Sequence, residues 1–394
     1  MYGVKSLLGK STIKQQRVIY IQYTNPAGYP PLEHSSHILA QNGWNVLFLG
    51  TGSYATDNLR FSPHSNIQTR QLPFCHSGWR QKIHFVWFCI WVVVWTLRWK
   101  PRWLYASDPL SCPATWFLSF FPDYKIIYHE HDSPNSGMTK SFWMTLVFHM
   151  RQKLSRRAQL CVLPNERRAE KFAMQTGNGR QKTICVWNCP SQKEVSPPQK
   201  SFSNGELRLL YHGSIVPSRL PLTLLQALTS LSGKTRLQII GYEPIGHKGY
   251  VQQLKETSRR IGLEKQVEFL GPMPRKELLK TSQTCDVGIA FIPKNSSDIN
   301  FQNMTGASNK IFDYLACGLA VLVCDLPEWK KAYVEPGYGL ACDPDDPKGI
   351  AETLRWFLDH PQEMRSMGER GRQRIISEWN YEKKLQPVLE KLNQ

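Results

Sequence analysis

The chain has 394 residues, of which 41% are apolar and 20% are charged. This length gives room for two domains of ordinary size, and the composition excludes a disordered, collagen-like or coiled-coil protein. The formal net charge is +18 and uneven: residues 1–200 contain 24 Lys and Arg against 9 Asp and Glu, whereas residues 201–394 contain 25 against 22. The basic first half predicts contact with an anionic surface. Because no nucleic-acid-binding motif accompanies it, we rank a membrane above nucleic acid, with a merely soluble basic protein as the alternative.

The cysteines and the amino terminus indicate a cytoplasmic protein. Ten cysteines are scattered without a C-x-x-C pair, which favours free thiols in a reducing compartment and argues against structural zinc. The first residues alternate short apolar runs with Lys5, Lys10, Lys14 and Arg17, so they lack the apolar core of a secretory signal. We therefore expect the protein in the cytoplasm, peripheral on the inner face of the cell membrane.

The first half alternates strand and helix patterns. RVIYIQY (17–23) predicts a strand, a loop follows, LEHSSHILAQNG predicts a helix ending at Gly43, and WNVLFLG (44–50) predicts a second strand. Further predicted strands are WLYASD (103–108), KIIYHEHD (125–132) and LCVLP (160–164), with helices at 112–121 and near 140–158. This order is that of βαβ units, which build parallel sheets.

The second half repeats the pattern after residues 191–205, whose polar, proline-containing composition is typical of a linker. Strands are predicted at 207–214, 237–243, 267–273, 285–293 and 319–325, with helices at 220–231, 248–261 and 309–317 and a helical tail at 347–394. We predict a first domain at 1–190, a linker at 191–205, a second domain at 206–370, and carboxy-terminal helices at 371–394 that pack back toward the first domain. In such folds ligands bind in the cleft outside the carboxyl ends of the strands.

Two features of the second half suit a phosphate ligand. Three predicted strands end in glycine, at Gly213, Gly241 and Gly271, where backbone could approach a ligand closely, although each could equally make a tight turn. In SNKIFDYLACGLAVLVCD (308–325), Ser308 or Asn309 would cap a helix that carries Lys310 and Asp313 on one face. Such a pair could meet a diphosphate and a ribose, or could simply face solvent.

The segment 308–325 resembles the donor-site signature of the family 4 glycosyltransferases. LRLLYHGSIVPSRLPLTLLQAL (207–228), 267–293, 337–354 and 365–389 resemble the successive units of that family's carboxy-terminal domain, and KIIYHEHD and WNCP resemble parts of its amino-terminal domain. The resemblance implies an α/β GT-B fold, in which two Rossmann-like doubly wound domains face each other across a cleft. It also implies a nucleotide-sugar donor on the second domain, an acceptor on the first, and no metal or other cofactor.

The resemblance assigns a role to each matching residue. Asp313 matches the carboxylate that binds the ribose, with Asp in place of the usual Glu, and Gly213 matches the glycine beneath the diphosphate. Ser214 stands where the family often has a basic residue. Arg219 is the cation nearest to the family's basic pair, so Arg219 and Lys310 are expected to carry more of the phosphate charge. His131 matches the histidine that faces the donor sugar. Thr305 stands where many members have a sugar-binding glutamate. The remaining predicted donor residues are Gly241, Gly271, Pro272, Ser308 and Asn309, and Gly28 is the candidate on the acceptor side.

Residues 129–132, HEHD, could instead be a metal cluster. Alternate residues of a strand point to opposite sides, so His129 and His131 share a face and Glu130 does not. Two ligands without a third are poor support for zinc, and we predict no metal site.

These observations predict a retaining glycosyltransferase that moves a hexose from a nucleotide-diphosphate sugar to a saccharide or lipid-linked acceptor in surface polysaccharide or glycolipid synthesis. A nucleotide-sugar 2-epimerase of the same fold is one alternative, and a catalytically weak nucleotide-sugar-binding protein is another. Nucleic acid is not an expected partner.

The segment 83–97, IHFVWFCIWVVVWTL, predicts a helix that lies in a membrane interface. Its 15 residues cover about 22 Å, which is short of the roughly 30 Å hydrocarbon core. Trp87, Trp91 and Trp95 recur every four residues, as on an interfacial helix, and cations flank the segment. A helix buried in the first domain is the alternative.

Overall fold

The computed structural model describes residues 16–54, 58–134, 141–198, 205–231 and 233–394. The amino-terminal Lys5, Lys10 and Lys14 lie outside the described residues.

The first sheet has seven parallel strands in the order β3-β2-β1-β4-β5-β6-β7. Most of its strands are buried on both faces, which explains their continuous apolar sequences. The strands are β1 Arg17–Ile21, β2 Asn45–Thr51, β3 Ile67–Leu72, β4 Trp103–Ser107, β5 Lys125–His129, β6 Leu160–Leu163 and β7 Thr183–Cys185. The helices between them are α1 Pro30–Gln41, α2 Trp79–Trp99, α3 Cys112–Leu118, α4 Phe142–Arg157 and α5 Glu166–Thr176.

The second sheet has six parallel strands in the order β10-β9-β8-β11-β12-β13. They are β8 Leu207–Ser214, β9 Thr235–Tyr242, β10 Val267–Gly271, β11 Val287–Ala290, β12 Ala320–Cys324 and β13 Gly339–Cys342. The helices are α6 Leu222–Thr229, α7 Tyr250–Arg260, α8 Arg275–Ser282, α9 Ile299–Gln302, α10 Asn309–Ala316, α11 Pro327–Trp329, α12 Pro347–Asp359 and α13 Pro361–Ser377. Two parallel α/β domains are therefore confirmed.

The chain ends on the first domain. Two short helices, α14 Tyr381–Lys384 and α15 Gln386–Asn393, follow α13. Tyr381, Leu385 and Leu392 are fully buried with Val18 and Tyr20 in the core of the first domain. The end of the chain thus lies against the first sheet, on the face that α1 also covers.

The segment between the domains is ordered where it is described. Gln192–Glu194 forms a short 3-10 helix with a capping box between Ser191 and Glu194. Val195 packs on the core of the second domain. This segment is therefore more than the polar connection that its composition predicts, because Glu194 pairs with His34 of the first domain and with Arg275 of the second.

Helix α2 differs from the predicted interfacial helix in length and in orientation. It spans 21 residues rather than 15, and it buries Phe85, Phe88, Val92 and Thr96 against the sheet. The predicted tryptophan stripe is wrong in part: Trp87 is exposed, but Trp91 and Trp95 are partly buried and pack against the core. Four-residue spacing drifts around a helix, so the three indoles do not share one environment.

Candidate active site

A cavity of about 610 Å³ lies between the two domains, within the size range of small-molecule sites. Its wall on the first domain includes Gly28 and Tyr29, which follow β1, and His131 and Asp132, which follow β5. Its wall on the second domain includes residues after β8 and at the start of α10. Both sheets therefore present their carboxyl ends to this cavity, as expected of facing doubly wound domains.

Gly213 and Lys310 form the most specific contact of the cavity wall. A side chain at residue 213 would put its Cβ 2.6 Å from Nζ of Lys310, so the ammonium group occupies the space that the glycine leaves. Gly213 also has φ of +110°, which disfavours other residues. Burial, and next the charge of Arg219, lower the pKa of Lys310 to about 7. An anion bound here would raise the pKa of Lys310 and so favour its charged form.

The amino terminus of α10 opens onto the same wall. Ser308 occupies the N-cap position, as predicted, but its side chain makes no capping hydrogen bond. Ser308, Asn309, Ser214 and Arg219 all line the cavity. Uncapped backbone N–H groups and two nearby cations form an environment suited to a diphosphate.

Asp313 lies in the cavity wall but is paired with Arg275. Nη2 of Arg275 donates to Oδ1 at 2.7 Å and Nη1 donates to Oδ2 at 3.2 Å, while Nε2 of His212 is 3.4 Å from Oδ2. Burial raises the pKa of the Asp313 carboxyl, and the charge of Arg275 opposes that rise. Burial also holds the pKa of His212 well below its usual value, so His212 is neutral at pH 7.

Arg275 extends this pairing to the first domain. Its Nη2 donates to Oε2 of Glu194 at 2.9 Å, and the same oxygen is 2.8 Å from Nε2 of His34 on α1. Burial favours neutral Arg275, but the charges of Asp313 and Glu194 outweigh it and raise its pKa well above the usual value. Sequence reasoning missed Arg275, whose only signal was its position shortly after the predicted donor residues Gly271 and Pro272.

His131 lines the cavity on the side of the first domain, and its ring makes no hydrogen bond to the described residues. The side chain is 6% exposed, and both ring nitrogens are buried without a hydrogen-bond partner among the described residues. Burial lowers its pKa to about 4, so the ring is neutral at pH 7. A buried imidazole with two unsatisfied nitrogens lacks the partner that a polar ligand would supply.

The backbone of His131 is held by residues that the sequence analysis did not identify. Oδ1 of Asp108 accepts the N–H of His131 at 2.8 Å, and Arg168 donates to its carbonyl oxygen. Asp108 has φ of +63°, an uncommon conformation outside glycine. Burial raises the pKa of Asp108 to about 6.

Residues 129–132 do not converge on one point. The carboxylate of Glu130 accepts from Nη2 of Arg151 at 2.8 Å, and Nδ1 of His129 is 2.6 Å from the hydroxyl of Tyr105. Across the parts of the chain that the structure describes, no group of three His, Cys, Asp or Glu residues is arranged to hold a metal ion.

Four predicted donor residues do not line the cavity. A Cβ at Gly241 would lie 1.9 Å from the carbonyl oxygen of Gly213, so this glycine lets β8 and β9 approach each other closely. Gly271 and Pro272 precede the lining residues Met273 and Pro274 rather than lining it themselves. The carbonyl oxygen of Thr305 accepts from Nδ2 of Asn165 at 2.7 Å, which makes it a contact between the domains.

The sequence of the second domain matches a known family. Residues 192–374 match the profile described as glycosyl transferases group 1. No curated protein matches the sequence.

Solved structures resemble the whole chain at low sequence identity. HepE from Anabaena, in complex with UDP, has a TM-score of 0.70 and 15% identity over 96% of this chain and 99% of its own. Sucrose-phosphate synthase from Thermosynechococcus elongatus has a TM-score of 0.71 and 14% identity over 96% and 98%. WaaG, a glycosyltransferase involved in lipopolysaccharide biosynthesis, has a TM-score of 0.63 and 12% identity over 94% and 98%. The predicted GT-B fold is confirmed.

Proposed function

We propose that this protein is a retaining glycosyltransferase of the family 4 type, which transfers a hexose from a nucleotide-diphosphate sugar to a saccharide or lipid-linked acceptor in surface polysaccharide or glycolipid synthesis. The observation that carries the proposal is the contact of the Lys310 ammonium with Gly213, beside Arg219 and the open amino terminus of α10. A UDP complex of HepE, which shares the fold, supports a nucleotide-sugar donor.

The cations on the cavity wall would act on the leaving group. Negative charge grows on the diphosphate as the glycosidic bond breaks, and preorganised cations and N–H groups stabilise that charge. Lys310 and Arg219 can supply this stabilisation through their own charges, so we expect transfer to proceed without a metal. Because the stabilised charge is larger in the transition state, replacing Arg219 with Gln should lower kcat more than donor affinity.

His131 would orient the sugar rather than move a proton. Its neutral ring and its two unpartnered nitrogens can form hydrogen bonds to sugar hydroxyls across the cavity. As the resemblance to family 4 implies, the departing diphosphate helps to accept the proton of the incoming acceptor hydroxyl. The contribution of the protein is then orientation and charge stabilisation.

A panel of UDP-, GDP- and ADP-sugars tests the proposal. The protein is incubated with each donor, with and without EDTA, in the presence of lipid and saccharide acceptors. We expect one donor to release its nucleoside diphosphate, EDTA to have no effect, and the product to keep the anomeric configuration of the donor by NMR. Inversion would contradict the retaining mechanism, and an epimerised nucleotide sugar would identify an epimerase. Donor binding without turnover under every condition would identify a binding protein.

A further inference from the structure

The outward face of α2 carries apolar side chains from its first turn to its last, with Arg80, Lys82 and Arg98 also exposed near its two ends. Its inward residues Phe88 and Val92 are completely buried on the first sheet. Seven outward apolar residues recur at intervals of one, three or four positions and are 44% to 67% exposed: Trp79, Ile83, Val86, Trp87, Ile90, Val94 and Leu97. A surface helix of a globular protein normally has a polar outward face, so this stripe needs a partner.

The neighbouring helices extend the same apolar surface. The T-shaped contact of Phe85 with Trp143, whose ring centroids are 5.7 Å apart, joins the first turns of α2 and α4, and α3 packs between these helices. Five further apolar residues on α3, on the turn after it and on α4 are exposed: Phe117, Phe120, Phe121, Phe142 and Leu146. These twelve residues together are the apolar face.

The charge around the apolar face is mainly positive, and Asp123, on the turn after α3, is the acidic residue exposed close to it. Residues 58–107 contain seven Lys and Arg and no Asp or Glu. Several cations lie directly over rings at its edge: Arg80 is 5.5 Å from Trp79, Lys153 is 5.5 Å from Trp116 and Arg157 is 4.6 Å from Phe120. Aromatic and aliphatic side chains ringed by cations complement the interface of an anionic bilayer, where each cation adds to binding.

Helix α2 is not placed to cross a membrane. Within the described residues it is the one helix long and apolar enough to do so. However, Phe85, Phe88, Val92 and Thr96 are part of the packing on the first sheet, and withdrawing them would open that core. The helix therefore lies flat on the domain, and its outward side chains alone are available to lipid.

We infer that the apolar face docks on the surface of an anionic phospholipid bilayer. The first turns of α2 lie near the cavity, because Nδ1 of His84 is 2.9 Å from the hydroxyl of Tyr23, and the next residue, Thr24, lines the cavity. Docking would bring the acceptor side of the cleft to the lipid surface. This consequence, an acceptor that is itself a membrane lipid, rests on the proposed function, whereas docking does not.

Co-sedimentation of the full-length protein with vesicles of phosphatidylcholine, with and without phosphatidylglycerol, tests the docking. Binding should require phosphatidylglycerol and weaken in high salt. The double variant Trp87→Ser and Ile90→Ser should lower the partition coefficient by about tenfold or more, because two inserting side chains are lost. The control is Met174→Ser with Ile245→Ser, which removes two exposed apolar residues outside the apolar face. It should bind like the wild type.

A second pair of variants tests the charge. Arg80→Gln, Lys82→Gln and Arg98→Gln together should weaken binding and reduce its salt dependence. The same number of exposed cations removed from the second domain, by Arg259→Gln, Arg260→Gln and Lys265→Gln, should have a smaller effect. UDP affinity measured in solution should be unchanged in all four variants, so failure of docking is distinguishable from failure of the donor site.

Two results would overturn the inference. One is a failed vesicle assay: the wild type binds equally with and without phosphatidylglycerol, or the Trp87 and Ile90 variant binds vesicles as tightly as the wild type. The other is a concentration-dependent dimer in sedimentation velocity that the same variant abolishes, without vesicle binding. The apolar face would then be an interface between two copies of the chain.

Discussion

The guanidinium of Arg275 and the carboxylate of Asp313 form a bidentate ion pair in the wall of the interdomain cavity, with N–O distances of 2.7 and 3.2 Å. Arg275 also binds Glu194, so one cation is shared by a buried carboxylate, Asp313, and a partly buried one, Glu194. This arrangement links the residue predicted to bind the ribose to the segment that connects the domains. It has consequences for both stability and donor binding.

Replacing Arg275 with Gln should destabilise the protein strongly. The variant leaves Asp313 buried, and Glu194 partly buried, without their cation. Breaking a buried pair in this way costs about 3–5 kcal/mol in the free energy of unfolding. Urea denaturation at pH 7 measures the change. The control is Arg372→Gln, which removes a more exposed pair with Glu369 and should cost no more than about 1 kcal/mol.

The cost of Arg275→Gln should also depend on pH. Arg275 lowers the pKa of Glu194 well below its usual value, against the effect of burial. A depressed folded-state pKa gives stability that is present above the unfolded pKa of about 4.5 and is lost as the pH falls through the folded value. The difference between wild type and variant should therefore shrink in acid. A difference that grows in acid would contradict the assignment.

The predicted ribose contact of Asp313 can be separated from its pairing with Arg275. If Asp313 accepts hydrogen bonds from the ribose, UDP should bind the wild type at least about tenfold more tightly than 2′,3′-dideoxy-UDP, since hydrogen bonds to charged groups contribute about 1.5–3 kcal/mol. In Asp313→Asn this preference should fall. An equal preference in both proteins would mean that Asp313 only holds Arg275.

Replacing Gly213 with Ala should weaken nucleotide binding by displacing Lys310. The new Cβ would meet the ammonium at 2.6 Å, and the backbone at φ of +110° disfavours alanine. We expect at least about a tenfold loss of UDP affinity by calorimetry, from loss of one charge-assisted contact. Gly262→Ala is the control, because Gly262 also has positive φ but open space around it. If both variants lose affinity equally, backbone strain and not Lys310 is the cause.

The strands were predictable where they are buried, and the site was predictable where a family motif marks its residues. LRLLYHGS became β8 with the same bounds, because most of that strand is buried and carries a run of apolar residues. Strand β3, IQTRQL, was missed because it is an edge strand with mainly exposed polar residues and shows no apolar run. Lys310 and Gly213 were found through a family resemblance. Arg275 was not, because its partners lie 38 and 81 residues away in the sequence.

The outward stripe of α2 could not be predicted from the periodicity of apolar residues. The sequence is apolar on all sides of this helix, so periodicity could not tell which residues face the sheet. Only packing against β-strands decides that Phe88 and Val92 point inward and that Trp87 and Ile90 point outward. Three indoles at four-residue intervals predicted the wrong stripe for this reason.

The last prediction concerns the pH dependence of nucleotide binding through Lys310. Its pKa of about 7 in the free protein must rise when a diphosphate binds beside it, because an anion favours the charged form. The titration of Lys310 should therefore make the affinity for the nucleoside diphosphate greatest below pH 7. The affinity should fall as the pH rises above 7, since the neutral lysine must first take up a proton.

Calorimetric titration with UDP between pH 7.5 and 9 would measure this dependence, in a range where phosphate ionisation is essentially complete. We expect an affinity loss of about tenfold or more across the range and an uptake of up to about one proton at pH 8, obtained from buffers of different ionisation enthalpy. Lys310→Met should bind more weakly at pH 7.5 and lose both effects. Lys276→Met, which removes another cavity-lining lysine, is the control and should keep both. Persistence of the proton uptake in Lys310→Met would assign it to another group and remove Lys310 from the diphosphate site.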